Sequence, residues 1–279
     1  MDAAGPVTVA SIHIYPVKAT RAVDLAEAEV ERCGLAGDRR WLVVEPDGRF
    51  ITQRTEPTLA LVGARYVTDG SLHLSAGGQP PLTVPAPAEG RGAEMLWVNV
   101  WRSKVRAAAA GGQADAWFSR FLGRPVRLVH LDDPARRQVD PEFAGPGDRV
   151  SFADGYPLLL TALGSLDALG RWLIEDGQPA VPMTRFRPSV VVAGTAPWAE
   201  DGWRRIQIGP ATFRVAKPCG RCVVTTIDQQ TGQRGRQPLA MLGRRRRFGQ
   251  QLVFGQNLIP DVSGTIRIGD PVRILHPED

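Results

Sequence analysis

The sequence predicts a mainly β protein with some α structure: an N-terminal β-barrel-like domain, a linker, and a C-terminal β-barrel-like domain. Three observations predict it. Glycine (30) and proline (23) are plentiful among 279 residues, which favours many short elements joined by tight turns. Apolar and polar residues alternate in short runs along most of the chain, the period of half-buried strands. Residues 132–149 (DDPARRQVDPEFAGPGDR) are polar and rich in Pro and Gly; as a linker they separate residues 7–130 from 131–279, two modest domains at roughly 100–200 residues each. The same segment also suits an active-site loop. With 43% apolar and 23% charged residues, the chain can bury a core.

In chain order, residues 7–17 (VTVASIHIYPV) alternate as a strand. Residues 41–54 read as a hairpin: Trp41–Val44, the turn Pro46-Asp47-Gly48, then Phe50-Ile51-Thr52. A turn-and-strand unit covers 69–84, with Asp69-Gly70 before Leu72 and Leu74, and residues 95–108 add strands. Trp117, Phe118, Phe121 and Leu122 sit at helical spacing, Gly123 caps that helix and Pro125 stops it. A second helix is expected after Ser165 as N-cap, with Leu166, Leu169, Trp172 and Leu173 as its apolar stripe and Asp176-Gly177 as its end. Thereafter Ser189–Ala193, Arg205–Ile208, Thr212–Ala216, Val223–Ile227, Gln251–Phe254, Thr265–Ile268 and Val272–Leu275 read as short strands, the pattern of a barrel or curled sheet. Arg244–Arg247 is the one charge run and reads as a solvated loop.

Composition excludes several classes. The charge of +5 and pI of about 9.5 suit a phosphate-bearing ligand, nucleic acid or an acidic partner without choosing among them. Neither an aromatic RNA-binding motif nor a Cys/His finger accompanies the arginine run, so nucleic acid is not expected. Three cysteines, Cys33, Cys219 and Cys222, are too few and odd in number for a secreted disulfide scaffold. The N-terminal residues lack a signal-peptide pattern, and no apolar run approaches the roughly 18 residues that span a bilayer. A cytoplasmic protein without membrane association is expected. No nucleotide-phosphate loop is present.

The sharpest local feature is Lys217-Pro218-Cys219-Gly220-Arg221-Cys222. Half a zinc site is one reading, but His13, His73, His130 and His276 lie at no ligand spacing. A redox dithiol is a second, but the motif precedes a strand-like run rather than opening a helix. A single thiolate, ligand to a soft metal or carrier of a persulfide, fits better, because Lys217 and Arg221 flank it. Ordinary buried cysteines remain a fourth. Arginines recur beside aromatic and turn residues at Arg39, Arg40, Arg54, Arg185 and Arg187, with Lys18 at a strand end; in conjunction they suit gripping a phosphate or a planar polar ring.

On these residues the chain resembles the MOSC-domain proteins, and within them the bacterial relatives of the mitochondrial amidoxime-reducing component. The matching stretches are 13–44, ITQRTEP (51–57), FADGYPLLLT (152–161), RFRPSVVVAG (185–194), CGRCVVTTIDQQTG (219–232), FGQNL (254–258) and GTIRIGDPV (264–272), in family order. The resemblance implies an N-terminal MOSC β-barrel domain packed on a C-terminal MOSC barrel, with a pterin-bound molybdenum cofactor between them; pyridoxal phosphate is not expected. It makes Cys222 the metal ligand and assigns Lys18, Arg39 and Arg187 to the pterin or its phosphate. Ser189 stands where the family usually has Asn, Ala19 where it often has Ser, and Thr161 falls near a further family Thr/Ser. Arg221 is expected to help keep Cys222 ionised. The implied reaction is reduction of amidoximes, hydroxylamines and other N-hydroxylated small molecules by oxygen-atom transfer, with electrons from a separate ferredoxin-like or flavoprotein donor. Two alternatives stay open: a sulfur carrier or transferase using a Cys222 persulfide, and a non-catalytic cofactor-binding protein.

Overall fold

The computed structural model describes residues 5–275, apart from 89 and 91. The chain is mainly β. It begins with β1 (Thr8–Ile14), β2 (Val23–Leu25), β3 (Glu27–Glu31), β4 (Gly34–Leu35) and β5 (Trp41–Val44). A meander follows, β6 (Gly63–Tyr66), β7 (Leu72–Ser75) and β8 (Leu82–Val84), then the hairpin β9 (Met95–Val100) and β10 (Ser103–Ala109), helix α1 (Gly112–Leu122) and β11 (Arg127–His130). The rest comprises β12 (Leu158–Ala162), α2 (Leu163–Glu175), β13 (Val190–Ala193), β14 (Arg205–Ile208), β15 (Ala211–Gly220), α3 (Leu239–Arg245), β16 (Arg247–Phe248), β17 (Gln251–Val262), β18 (Gly264–Arg267) and β19 (Val272–Leu275).

The largest sheet runs β19-β14-β15-β17-β12-β13-β1-β2, with β16 beside β17. Its far edge comes from the N-terminal residues: β1 pairs antiparallel with β13, and β2 with β1. β3 likewise pairs with β18 near the other end of the chain. The main core therefore mixes both ends, with Val9, Ile12, Ile14, Val30 and Leu35 packed among Leu160, Val190, Phe213 and Ile266. A bulge between Val9 and Ser11 interrupts β1, which is why its buried residues fall at 9, 12 and 14 instead of strictly alternating. A second core lies under the meander and α1, where Trp117 and Phe118 pack with Trp41, Leu59 and Leu72. Each large apolar side chain buried there contributes roughly 1.5–3 kcal/mol. α1 ends as its sequence predicts, with Gly123 left-handed at φ 67°.

Several expectations need correction. The hairpin at 41–54 has only one full arm, since Phe50 meets Val44 through a single bridge. α2 begins at Leu163, and Ser165 is buried inside it. The Ser165 hydroxyl donates to the buried Glu200 carboxylate (2.7 Å) and accepts from the Trp198 amide (2.8 Å), so it ties α2 to a distant turn instead of capping its own helix. Val223–Ile227 is not a strand. Residues Val223–Thr226 form a 3-10 turn, because the Thr225 and Thr226 hydroxyls bond back to the Cys222 and Val223 carbonyls (3.0 and 2.8 Å). Gln251–Phe254 is only the start of β17, which continues to Val262. The arginine run is no loop: Arg244 and Arg245 close α3, where cations oppose the negative end of the helix, and Arg246 is buried against Trp198 and Asp201.

The polar segment before β12, expected as a linker or an active-site loop, is largely exposed but tied down at Arg137 and Val139, both buried. Buried Arg137 donates to the Ser151 and Ala153 carbonyls and to the Asp154 carbonyl (2.8 Å). It holds residues 151–154 in place, and Asp154 is part of the site described next. Among the described residues no helix is long and apolar enough to cross a membrane.

Candidate functional site

Residues 15–20 leave β1 and turn back against residues 36–41. The Tyr15 amide donates to the Asp38 carboxylate (2.8 Å), the Arg39 amide to the Tyr15 carbonyl (2.9 Å), and the Lys18 amide to the Trp41 carbonyl (2.8 Å). This lacing holds Ala19 at φ 73° and Arg39 at φ 47°, and Arg187, just before β13, sits at φ 55°. Left-handed backbone at non-glycine residues is costly, and here it gathers around one cleft. On the opposite wall the end of β15 brings Lys217 and Cys219 to the cavity, and Arg221 follows just past the strand. Cys222 follows where that chain turns into the 3-10 turn.

These elements enclose a cavity of about 360 Å³. Six cations line it, Lys18, Arg39, Arg54, Arg187, Lys217 and Arg221, against one carboxylate, Asp154. Lys18 donates to the Phe152 carbonyl (2.7 Å) and to Asp154. Burial lowers its pKa to about 8, although Asp154 pulls it up again. Burial works to raise the Asp154 pKa, but the charges of Lys18 and Arg54, with hydrogen bonds from Lys18 and Trp101, outweigh it and hold this carboxyl well below the usual range. Arg39 and Arg187 both place their guanidinium groups over the buried Tyr15 ring, at 4.2 and 4.1 Å. Arg39 is paired with buried Asp38. Arg187 bonds to the Thr20 carbonyl (2.8 Å) and the Gln229 amide oxygen (3.3 Å) rather than to a carboxylate, and burial brings its pKa down to about 10. The cleft therefore holds buried positive charge that its own carboxylate does not balance.

The two motif cysteines have different neighbours. Arg54 donates to the Cys222 sulfur (3.2 Å) and reaches Asp154 (3.4 Å). Arg221 donates to the Cys219 sulfur (2.9 Å) and to the Phe186 carbonyl (2.6 Å). The expected guardian of Cys222 was Arg221; its guanidinium instead meets the Cys219 sulfur, and Arg54 makes the contact to Cys222. The Arg221 Nε is buried without a hydrogen-bond partner.

Of the expected site residues, Lys18, Arg39, Arg187, Arg221 and Cys222 line the cavity. Ser189 and Thr161 are fully buried behind its wall. The Ser189 hydroxyl accepts from Arg39 (3.4 Å) and from the Leu159 amide (3.3 Å), and Thr161 donates to the Met183 sulfur (3.2 Å). Sequence reasoning left out Asp154 as a site residue. It lies in the FADGYP stretch just after the Pro/Gly-rich segment, but only folding brings Lys18 and Arg54 to it. Asp228 accepts from the Gln230 and Thr231 amides (2.9 and 3.0 Å) and pairs with Arg185, as a turn-capping residue does. His13, His73 and His130 bond separately to Asp24, Thr83 and the Pro87 carbonyl, and His276 lies outside the described residues. Cys33 is buried beside Glu31, with its thiol pushed up to about 12 by burial. Among the described residues no group of three or more His, Cys, Asp or Glu is placed to hold a metal ion.

Residues 6–125 match the MOSC N-terminal beta barrel domain and residues 147–273 the MOSC domain. The chain belongs to the MOSC-domain family. It is similar to mitochondrial amidoxime-reducing component 1 of Homo sapiens, 33% identical over 285 residues, covering 96% of this chain and 83% of the human one. Mitochondrial amidoxime reducing component 2 of Homo sapiens is 30% identical over 282 residues, covering 95% and 82%. The cavity takes residues from both matched regions: Lys18, Arg39 and Arg54 from the first, Asp154, Arg187 and Cys222 from the second.

Proposed function

We propose that this MOSC protein is a molybdenum-cofactor-dependent oxidoreductase that reduces N-hydroxylated small molecules, amidoximes and hydroxylamines among them, to the N–H form. The observation that carries this reading is the convergence of six cations and an accessible thiol, Cys222, in one cavity between the two matched regions. The similarity to proteins named for amidoxime reduction supports the substrate class.

The residues present fit such a cofactor. A phosphate-bearing pterin would meet Lys18, Arg39 and Arg187, whose buried charges lack carboxylate partners in equal number. The unpartnered Arg221 Nε is a further donor at the cavity wall. Cys222 offers one soft ligand, which suits a metal that brings its remaining ligands with it. When bound, the cofactor would supply two-electron oxygen-atom transfer; the protein's part is orientation and electrostatics. Lys18 would hold an exchangeable proton at the cavity wall with the ionised Asp154 as its partner, Arg54 would fix the Cys222 sulfur, and Tyr15 would hold two guanidinium groups over its ring. Net reduction consumes two electrons and two protons and releases water, so a separate electron donor, ferredoxin-like or a flavoprotein, is part of the proposal.

The test is molybdenum per chain by elemental mass spectrometry after expression with ample cofactor and molybdate, beside Cys222→Ala. Near-stoichiometric metal in the wild type, lost or much reduced in the variant, is expected. Metal absent from both, with a labile sulfur on Cys222 after cysteine-desulfurase treatment, would replace this reading by the sulfur-carrier one.

A further inference from the structure

The two-residue turn between β9 and β10, Trp101-Arg102, joins Val100 to its partner Ser103. Trp101 occupies its first position at φ 55°, and no positive φ is found at Arg102. Hairpin turns with positive φ at that position favour glycine, because any Cβ is strained there. A tryptophan in that place is a local misfit, and half of its surface is open to solvent. Strain of this kind is retained where surrounding contacts over-determine it. Three contacts do so. The indole N–H donates to Asp154 (3.3 Å), the Arg54 guanidinium lies over the ring at 4.6 Å, and Phe50 meets it edge-on at 5.2 Å. Arg54 and Asp154 are both cavity residues, and the same Arg54 nitrogen touches the Cys222 sulfur. The exposed indole therefore stands two contacts from the candidate metal ligand, at the rim of the cleft.

Resting on the reductase reading above, we propose that Trp101 is a specificity-determining residue: its exposed indole is a stacking platform that selects neutral, planar, aromatic N-hydroxylated substrates over small aliphatic ones. An aryl amidoxime carries a flat π-face that packs on the indole while its N–OH group reaches inward, whereas a small aliphatic one offers no ring to stack. Asp154 and Arg54 fix the ring's tilt, so the platform is rigid before the ligand arrives, and little ordering entropy opposes stacking.

The experiment uses cofactor-loaded protein, wild type beside Trp101→Gly and Trp101→Phe. Glycine relieves the turn strain while the three indole contacts are lost, so Trp101→Gly should stay folded and melt close to the wild-type temperature. Without an electron donor, calorimetric titration compares binding of an aryl amidoxime (N′-hydroxybenzamidine) with an aliphatic one (acetamidoxime). With a donor, kcat and KM are measured for both. The expected result is a roughly 3- to 10-fold loss of affinity and a matching rise in KM for the aryl compound alone in Trp101→Gly. Trp101→Phe should restore most of it. Any general effect of losing the Asp154 and Arg54 contacts would move both substrates equally and cancel in the ratio. An unchanged aryl-to-aliphatic ratio with turnover intact would overturn the platform and leave the reductase reading standing. Selective aryl binding lost in Trp101→Gly, with no turnover of either compound by any protein, would keep the platform and sink the reductase reading. A rise confined to the KM for the donor protein would make the indole a docking contact and overturn the proposal.

Discussion

At Lys18, burial and charge pull in opposite directions. The amine is 7% exposed and lies against Asp154, the Phe152 carbonyl and the Phe50 ring, with Arg39 and Arg137 close enough to repel it. Burial wins and lowers its pKa from 10.5 to about 8. Between those two values the unfolded chain binds more protons than the folded one, so this group's contribution to stability rises with pH across that window. The stability difference between wild type and Lys18→Met should therefore shift in favour of the wild type from pH 8 to 10, as read by urea denaturation. Loss of the same proton weakens the grip on an anion: affinity for an anionic pterin phosphate should fall as pH rises through about 8, and this fall should vanish in Lys18→Met. Asp38 is a sharper case. Its buried carboxylate accepts from the Tyr15 amide and holds Arg39. Asp38→Asn keeps a polar group for Tyr15 but strips the Arg39 charge of its partner, and should cost about 3–5 kcal/mol in urea unfolding. Here the residue types were legible from sequence, and their partners were not: Arg221 was the obvious neighbour of Cys222 by spacing, yet its guanidinium meets Cys219, and Cys222 is met by Arg54 from 168 residues away.

At the scale of elements, β17 decides how the cleft is walled. It pairs with β15 on one side and β12 on the other, and Gly255 lets it pass close to β12. Gly255 has φ 78°, and a Cβ there would stand 2.5 Å from the Leu160 carbonyl oxygen and 2.8 Å from Thr161 Cγ2. Gly255→Ala should therefore destabilise by at least about 2 kcal/mol, measured by chemical unfolding, and displace Thr161 and the strand that precedes α2. Elements with strong local signals matched the sequence: α1 through its aromatic spacing and Gly123, β7 through Leu72 and Leu74. Val223–Thr226 did not, because β-branched residues favour strands on average while two threonine hydroxyls bonding back to the chain favour a turn at this place. β17 runs on past the expected end at Phe254, through Gly255 and Pro260, because irregular registers against β15 accommodate them.

On the whole-molecule scale, the two ends of the chain complete one another. β1 and β2 finish the large sheet, and β3 pairs with β18. A fragment beginning at residue 131 would lose Val9, Ile12, Ile14, Val30 and Leu35 from the main core and expose the edge of β13. It should show weak near-ultraviolet circular dichroism and rapid proteolysis, where the full chain resists both. The net charge of +5 suits an acidic electron donor through steering, so donor-dependent turnover should weaken as salt rises while dithionite-driven turnover, which needs no protein encounter, should not fall in parallel.

The sequence by itself determined the mainly β class, most strand positions, α1, and the residue types that line the cleft, because hydrophobic period, turn residues and the motif around Cys222 are local signals. Tertiary structure alone decided that Arg54 touches Cys222, that Asp154 bridges Lys18 and Arg54, that Ser189 and Thr161 serve the wall, and that Trp101 stands at the rim. Each of these joins residues from 22 to 168 positions apart. Contacts at such separation depend on sheet order and register, which hydrophobic periodicity does not encode.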